Sequence, residues 1–543
     1  MEFNFDLGIS DQEEFVTRSG SFTLDDLLRK TARMHPNRVA VSGIDGDLTY
    51  AELDERSDRL ANSLRSRGCE PGESTVAVLS ENRAETVTLA YACAKIGCLL
   101  ATLNWRLEQE ELVHCFNLVS ADFLVVSGRF VDRVPWIVED ADDEPTVVGY
   151  EGDVDPQFED LVSHGDPTDP LPDERIDPEQ GFVVLNTSGT TGLPKGVVVS
   201  HRAILSRVAM ITIDYGIDRG DNYPAWGPMF HPAGVTWIAL TAVHGGTFYP
   251  IDGFNPERIV DVLLKSARPI SWLFLVPGVV ERLVEHVEER GIEPERFPEI
   301  RSMGALPDMI EPDRIRRVTE TFDAPFQNTY GAAENGHVAS GNKIPVGVAP
   351  DEDALRKHES PFISVIFVDE EWNETGADQG EKAVRGPTLC SGYVRNADAN
   401  REDFRDGWFR TGDIFDRHDD GTYSFVSRRK YLIKPGGENV YPAELEEIIS
   451  QHDAVNQVIV VRADDPDWGE VPRAIVGVDD PEDPDALRND LMDMIGEELA
   501  RYKLPHYIKF VDPEVFDRSA TGKIVRTEVE EWEIAEAERT RRV

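Results

Sequence analysis

The chain has 543 residues, 40% of them hydrophobic and spread along its length, so it is globular and too long for one compact domain. With 102 acidic against 55 basic residues the formal net charge is -47, which excludes a general nucleic-acid binder and a binder of anionic membrane surfaces, since both need a basic face. Only 12 of the basic residues are Lys and 43 are Arg; abundant acid with scarce Lys is the composition expected of a halophilic archaeal protein, because in molar salt the Debye length falls to about 3 Å and self-repulsion is screened, with an acidic mesophilic protein as the alternative.

The acidic stretch around Asp6, Asp11, Glu13 and Glu14 reads as no signal peptide, and no apolar run approaches the roughly 20 residues of a membrane span. Residues 21–130 alternate helical and strand-like segments, beginning with T-L-D-D-L-L-R-K-T-A-R-M and Y-A-E-L-D-E-R-S-D-R-L-A-N-S-L-R. The strand candidate S-T-V-A-V-L-S and the helical A-E-T-V-T-L-A-Y-A-C-A-K-I-G follow. That alternation predicts α/β units around a largely parallel sheet. Residues 140–180, rich in Asp, Glu and Pro, read as surface loop. Beyond about 340 strand-like pieces dominate, and beyond about 430 a smaller α/β pattern begins with P-A-E-L-E-E-I-I-S-Q. A domain boundary near 428–431 fits this change. Cys69, Cys93, Cys98, Cys115 and Cys390 lack metal spacing and read as buried thiols in a reducing cytoplasm.

The most specific segment is F-V-V-L-N-T-S-G-T-T-G-L-P-K-G-V-V-V-S-H at 182–201. Hydroxyls of Thr187, Ser188, Thr190 and Thr191, backbone N–H groups at Gly189 and Gly192, and the Lys195 ammonium can together wrap an anion. A Walker A loop would run G-x-x-x-x-G-K-[ST] straight into a helix; Pro194 before the Lys and V-V-V after it exclude that reading. Ser200 is placed to cap a following helix.

This loop resembles the signature loop of the adenylate-forming superfamily, which includes acyl-CoA synthetases, aryl-CoA ligases, luciferases and peptide-synthetase adenylation domains. Further segments resemble that family in its order: P-M-F-H-P-A-G (228–234), Y-G-A-A-E (330–334) and G-W-F-R-T-G-D (407–413). K-P-G-G-E-N-V-Y-P-A-E-L-E (434–446), R-Y-K-L-P (501–505) and S-A-T-G-K-I-V-R (519–526) complete the set. The resemblance implies a large N-terminal adenylation domain with mixed and parallel sheets and a distorted β-barrel, at 1–427. It implies a small mobile α+β domain at 428–543, with its hinge at Lys430. It also implies ATP, CoA and a small carboxylic acid as partners, with Mg²⁺ as cofactor.

By the same resemblance, 187–195 cradles the β- and γ-phosphates, and Asn328, Thr329, Tyr330, Gly331 and Ala332 line the adenine. Asp413 and Arg428 would hold the ribose, Glu334 the Mg²⁺, and Lys523 would bridge carboxylate and α-phosphate. His231, Gly304 and Gly331 would border the acyl site, and Gly436, Gly437 and Glu438 would approach the pantetheine. Four departures stand out. The family's usual Thr is Ala333, so a hydroxyl to the α-phosphate is missing. Tyr431 replaces the Asp after the hinge, and Asp517 stands where Pro is usual. Gly331 replaces the Trp that closes the pocket of acetate-specific relatives, so a longer or bulkier acid is expected, with a medium-chain or branched fatty acid favoured and an aryl acid next. The expected activity is an AMP-forming acyl-CoA ligase. Loading of a carrier protein instead of CoA, and a non-catalytic acyl- or nucleotide-binding relative, are the alternatives.

Overall fold

The computed structural model describes residues 20–543 other than 169–175, 188–192, 305–309, 434, 436–439, 466–467, 480–482, 500, 519–523, 536–537 and 541–543; for residues 233, 277, 278, 430 and 502 it describes the backbone alone. The chain divides into two compact units, Met1–Val365 with Val384–Phe409, and Ile366–Ala383 with Arg410–Val543. The expected boundary near residue 428 falls inside the second unit.

In the first unit a seven-stranded sheet runs in the order 392–393, Lys195–Ser200, Gly181–Thr187, Leu99–Thr102, Thr75–Leu79, Phe123–Val126, Thr146–Gly149. The last five strands are parallel, and every residue of Thr75–Leu79 and Phe123–Val126 is buried. Strands buried on both faces read as continuous apolar runs, which is how T-V-A-V-L and F-L-V-V look in the sequence. Helices Leu24–Met34, Tyr50–Arg65 and Ala84–Ile96 pack together, and their buried charges converge. Lys95, with no exposed side-chain surface, sits 2.6 Å from Asp54, 2.7 Å from Asp58 and 3.5 Å from Asp25.

The reading of 140–180 as loop is corrected. Thr146–Gly149 adds a strand at the sheet edge, and Phe158–His164 is a helix that buries Phe158, Leu161 and Val162 against Tyr50–Arg65. A short apolar pair, Val147 and Val148, suffices for an edge strand, and the surrounding acids masked it in the composition.

Within 181–201 the strands Gly181–Thr187 and Lys195–Ser200 pair antiparallel, in a register that sets Thr187 opposite Lys195. Ser200 caps the helix His201–Tyr215, accepting from the Ala203 N–H at 3.2 Å. The antiparallel hairpin Phe326–Ala332 with Gly336–Ile344 also lies in the first unit. Most of Trp408–Arg417 and all of Tyr423–Arg428 belong to the second unit. That unit ends in a three-stranded sheet, Gln457–Asp465, Gly469–Gly477 and Tyr507–Val511, covered by helices Pro442–Ser450 and Pro484–Glu498 around Leu445, Ile449, Leu491 and Ile495. All five cysteines are buried free thiols.

Candidate active site

Four side chains of the first unit, Lys195, Tyr393, Asp403 and Glu334, meet at one end of the seven-stranded sheet. Strand 392–393 pairs antiparallel with Lys195–Ser200, Tyr393 standing opposite Val197. This places the Lys195 ammonium 4.5 Å from the centroid of the Tyr393 ring and 3.4 Å from the Asp403 carboxylate. The Tyr393 hydroxyl donates to Glu334 Oε1 at 3.1 Å. Burial, then the charges of Glu334 and Asp403, push the Tyr393 phenol far above its ordinary range, so it stays a donor.

The loop bearing Glu334 is fixed from behind. Asn335 Oδ1 accepts from the Ala332 N–H at 2.7 Å, closing a turn, and Gly336 takes the left-handed φ of +66°. A Cβ on Gly336 would lie 2.5 Å from Arg207 Nε, so the guanidinium occupies the space a side chain would need. Arg207 is buried to 1% exposure; its Nε donates to the Thr388 carbonyl at 3.0 Å and its Nη2 to the Ala333 carbonyl at 2.9 Å. Burial lowers its pKa to about 10, against the raising influence of Cys390 and Glu334. The Cys390 N–H donates to the Glu334 carbonyl at 2.7 Å, and burial pushes the Cys390 thiol up to about 12.

Of the expected adenine-lining residues, Asn328 is fully buried and donates to the Leu355 carbonyl at 2.6 Å, whereas Thr329 and Tyr330 are half-buried. Gly331 is exposed, and a Cβ there would lie 2.2 Å from the Gly336 carbonyl oxygen. The backbone of this hairpin therefore excludes any side chain at 331, an indole included. Ala333 is buried to 5% exposure in the main core cluster.

His231 is exposed, with its ring 6.4 Å from that of Phe274, so it is no packed core histidine. Phe274 stacks on Trp226 at 5.1 Å and touches Trp272, which stacks on Trp237 at 5.0 Å. Gly304 holds φ +123° against the Phe326 ring, where a Cβ would come within 2.7 Å. In the second unit Asp413 and Arg428 pair across adjacent strands, Nε to Oδ1 at 3.0 Å, with the Asp413 side chain 3% exposed. The backbone at Lys430 lies in the middle of a 3₁₀ turn, Arg429–Tyr431. Ser188, Gly189, Thr190, Thr191, Gly192, Gly436, Gly437, Glu438 and Lys523 lie outside the described residues.

Sequence reading missed Arg207, Tyr393 and Asp403. Arg207 carried a usable signal, since it interrupts the apolar helical stripe Ala203, Ile204, Val208, Ile211 with a charge. Tyr393 and Asp403 carried none, because only sheet pairing brings them to Lys195.

The model of the AMP-binding enzyme family matches residues 28–394, and that of the AMP-binding enzyme C-terminal domain matches 444–523. The chain belongs to the AMP-binding enzyme family. It is similar to the 2-succinylbenzoate–CoA ligase of Listeria innocua, at 29% identity over 93% of this chain and 98% of that one. It is likewise similar to the indoleacetate–CoA ligase of Aromatoleum aromaticum, at 30% identity over 93% and 97%. Among solved structures, the o-succinylbenzoate CoA synthetase of Bacillus subtilis, in complex with its acyl-adenylate intermediate, has the same fold. Its TM-score is 0.75 at 23% identity, covering 94% of this chain and 99% of that one. The large N-terminal and small C-terminal α/β architecture is that of the family.

Proposed function

We propose that this chain is an AMP-forming acid–CoA ligase. A carboxylate attacks the α-phosphate of ATP, giving acyl-adenylate and diphosphate; the CoA thiol then displaces AMP. The observation that carries the reading is the convergence of Lys195 and Glu334 on Tyr393, within a chain of this family.

The first half-reaction brings two anions together, so positioning and charge neutralisation dominate. Lys195, with the backbone and hydroxyls of 187–192, is the proposed partner of the β- and γ-phosphates. Asp413 is the proposed acceptor for the ribose hydroxyls, its carboxylate oriented by Arg428. Lys523 is the proposed bridge between carboxylate and α-phosphate, and Lys430 the hinge of a mobile domain beginning at 428. Gly436, Gly437 and Glu438 are the proposed contacts of the pantetheine arm.

The donor set suits Mg²⁺ brought in by the nucleotide. Among the described residues no group of three or more His, Cys, Asp or Glu forms a metal cage. One half-buried carboxylate, Glu334, faces the cluster and is oriented by Tyr393, and Mg²⁺ asks for one or two carboxylates plus water and phosphate oxygens. Bound there, the ion would neutralise phosphate charge; Tyr393 and Arg207 hold the ligand that would receive it.

For the acid, the sequence favours a medium-chain or branched fatty acid. The Phe274 ring beside His231, backed by the buried Trp226 and Trp272, favours a planar aryl or arylalkyl acid, because offset stacking adds about 0.5–1.5 kcal/mol beyond burial. The named substrates of the two ligases above are of that class. ATP–diphosphate exchange over a panel of both acid classes, in molar KCl to suit the acidic surface, tests the reading. Exchange with aryl acids is expected, fatty acids alone would return the acid to the first class, and no exchange with any acid would favour a non-catalytic relative.

A further inference from the structure

Asp403 has an unusual place. It ends the short helix Ala397–Asp403, where a carboxylate meets the negative end of the helix dipole, and Glu402 precedes it. An acid at this position weakens the helix, so helix stability does not account for it. Its oxygen lies 3.4 Å from Lys195 Nζ, with both side chains under one-fifth exposed. Lys195 thereby lies over the Tyr393 ring, whose hydroxyl donates to Glu334 and also hydrogen-bonds the Asp403 carboxylate. Burial raises the Asp403 carboxyl above its ordinary range and Lys195 opposes that rise, the mark of a carboxylate that depends on this partner.

We propose that Asp403 is a positioning residue that holds the Lys195 ammonium over Tyr393 until a polyphosphate replaces the carboxylate as its counter-ion. The proposal rests on the reading of Lys195 as the phosphate lysine. Its consequence is a built-in opposition to nucleotide: ATP gains Lys195 only by breaking the pair and leaving a half-buried carboxylate without its cation. Removing that charge therefore improves nucleotide binding, whereas a residue of merely structural value would impair it.

The test uses the full chain with Mg²⁺–ATP in molar KCl, where fields between exposed charges are screened. Dissociation constants come from titration calorimetry and KM and kcat from ATP–diphosphate exchange. Asp403→Asn is expected to tighten ATP binding and lower KM about fivefold, roughly 1 kcal/mol, without raising kcat. Asp403→Glu keeps wild-type affinity. In a Lys195→Ala background, Asp403→Asn changes nothing, because the latch has lost its bolt; an effect that persists there is a general field effect and overturns the proposal. An unchanged or raised KM in Asp403→Asn overturns it too, and unfolding of that variant is checked by its melting temperature, with Asp403→Ser as a second neutral variant read the same way. If no acid supports exchange but Asp403→Asn still tightens ATP through Lys195, the latch stands and the ligase reading falls.

Discussion

The guanidinium of Arg207 donates to the carbonyl oxygens of Ala333 and Glu334, at 2.9 and 3.3 Å, from a site 1% exposed. A helix residue thus holds the backbone of the loop that presents the Glu334 carboxylate. Arg207→Met is expected to leave the Thr388 and Ala333 carbonyls without donors and to cost about 2–4 kcal/mol of stability. Exchange activity should fall at least tenfold through kcat as Glu334 loses its position. Arg207→Lys rescues little, since one ammonium cannot span the fork. Urea midpoints and exchange kinetics measure both; wild-type kcat in Arg207→Met would contradict the role.

Gly331→Ala places a Cβ 2.2 Å from the Gly336 carbonyl oxygen, a backbone contact with no flexible side chain to yield. The hairpin Phe326–Ala332 with Gly336–Ile344 must shift locally. Exchange activity should drop by a hundredfold or more with little change in far-ultraviolet circular dichroism. Retained activity would mean that the loop accommodates a side chain there and that Gly331 answers to the substrate rather than to the backbone.

Ala333→Thr restores the hydroxyl that the family resemblance leads one to expect at the α-phosphate. A hydrogen bond to a charged group contributes about 1.5–3 kcal/mol, so kcat/KM for ATP should rise roughly tenfold or more. Ala333 is 5% exposed, so the added atoms also overpack the core by about 1–3 kcal/mol and lower the melting temperature. An unchanged kcat/KM would mean that another group already serves the α-phosphate.

The buried Lys95 cluster sets a pH dependence. Burial raises the Asp25 and Asp58 carboxyls above their ordinary value, while Lys95 and then Arg29 lower them. A raised folded pKa means the folded state binds more protons. The stability these groups contribute is full below the unfolded value near 4 and is lost as pH rises through the raised values. Lys95→Met leaves the three acids without their shared cation, so a loss of about 3–5 kcal/mol at pH 7 is expected. That loss should shrink at pH 5 as Asp25 and Asp58 take up protons. Denaturation midpoints at the two pH values decide it, and a deficit independent of pH would show that Lys95 acts by packing alone.

Much of the fold was legible because the period of apolar residues changes with the element. The runs T-V-A-V-L and F-L-V-V became fully buried strands, and Ser200 capped the helix it preceded. The strand Thr146–Gly149 was hidden because two valines among acids make no period. At the site, only local placement was readable: Lys195 beside its loop, Glu334 in a turn among glycines and alanines, Asp413 beside a turn. Relations across segments were not. Tyr393 and Asp403 reach Lys195 through the pairing of strand 392–393 with Lys195–Ser200, which no local pattern encodes. The reason Gly331 is glycine also lies in a neighbouring carbonyl rather than in its own surroundings.

The central claim is acid activation through an adenylate followed by transfer to a thiol. Incubation with ATP, Mg²⁺, CoA and an acid panel in molar KCl, with AMP and soluble thioester quantified by mass spectrometry, tests it most directly. The account predicts stoichiometric AMP, diphosphate and acyl-CoA with at least one aryl acid, and none of these from Lys523→Ala, which yields AMP and acyl-CoA, without diphosphate, only when preformed acyl-adenylate is supplied. AMP release without a CoA thioester would contradict CoA as the acceptor, and ADP in place of AMP, or no nucleotide turnover with any acid, would contradict the account itself.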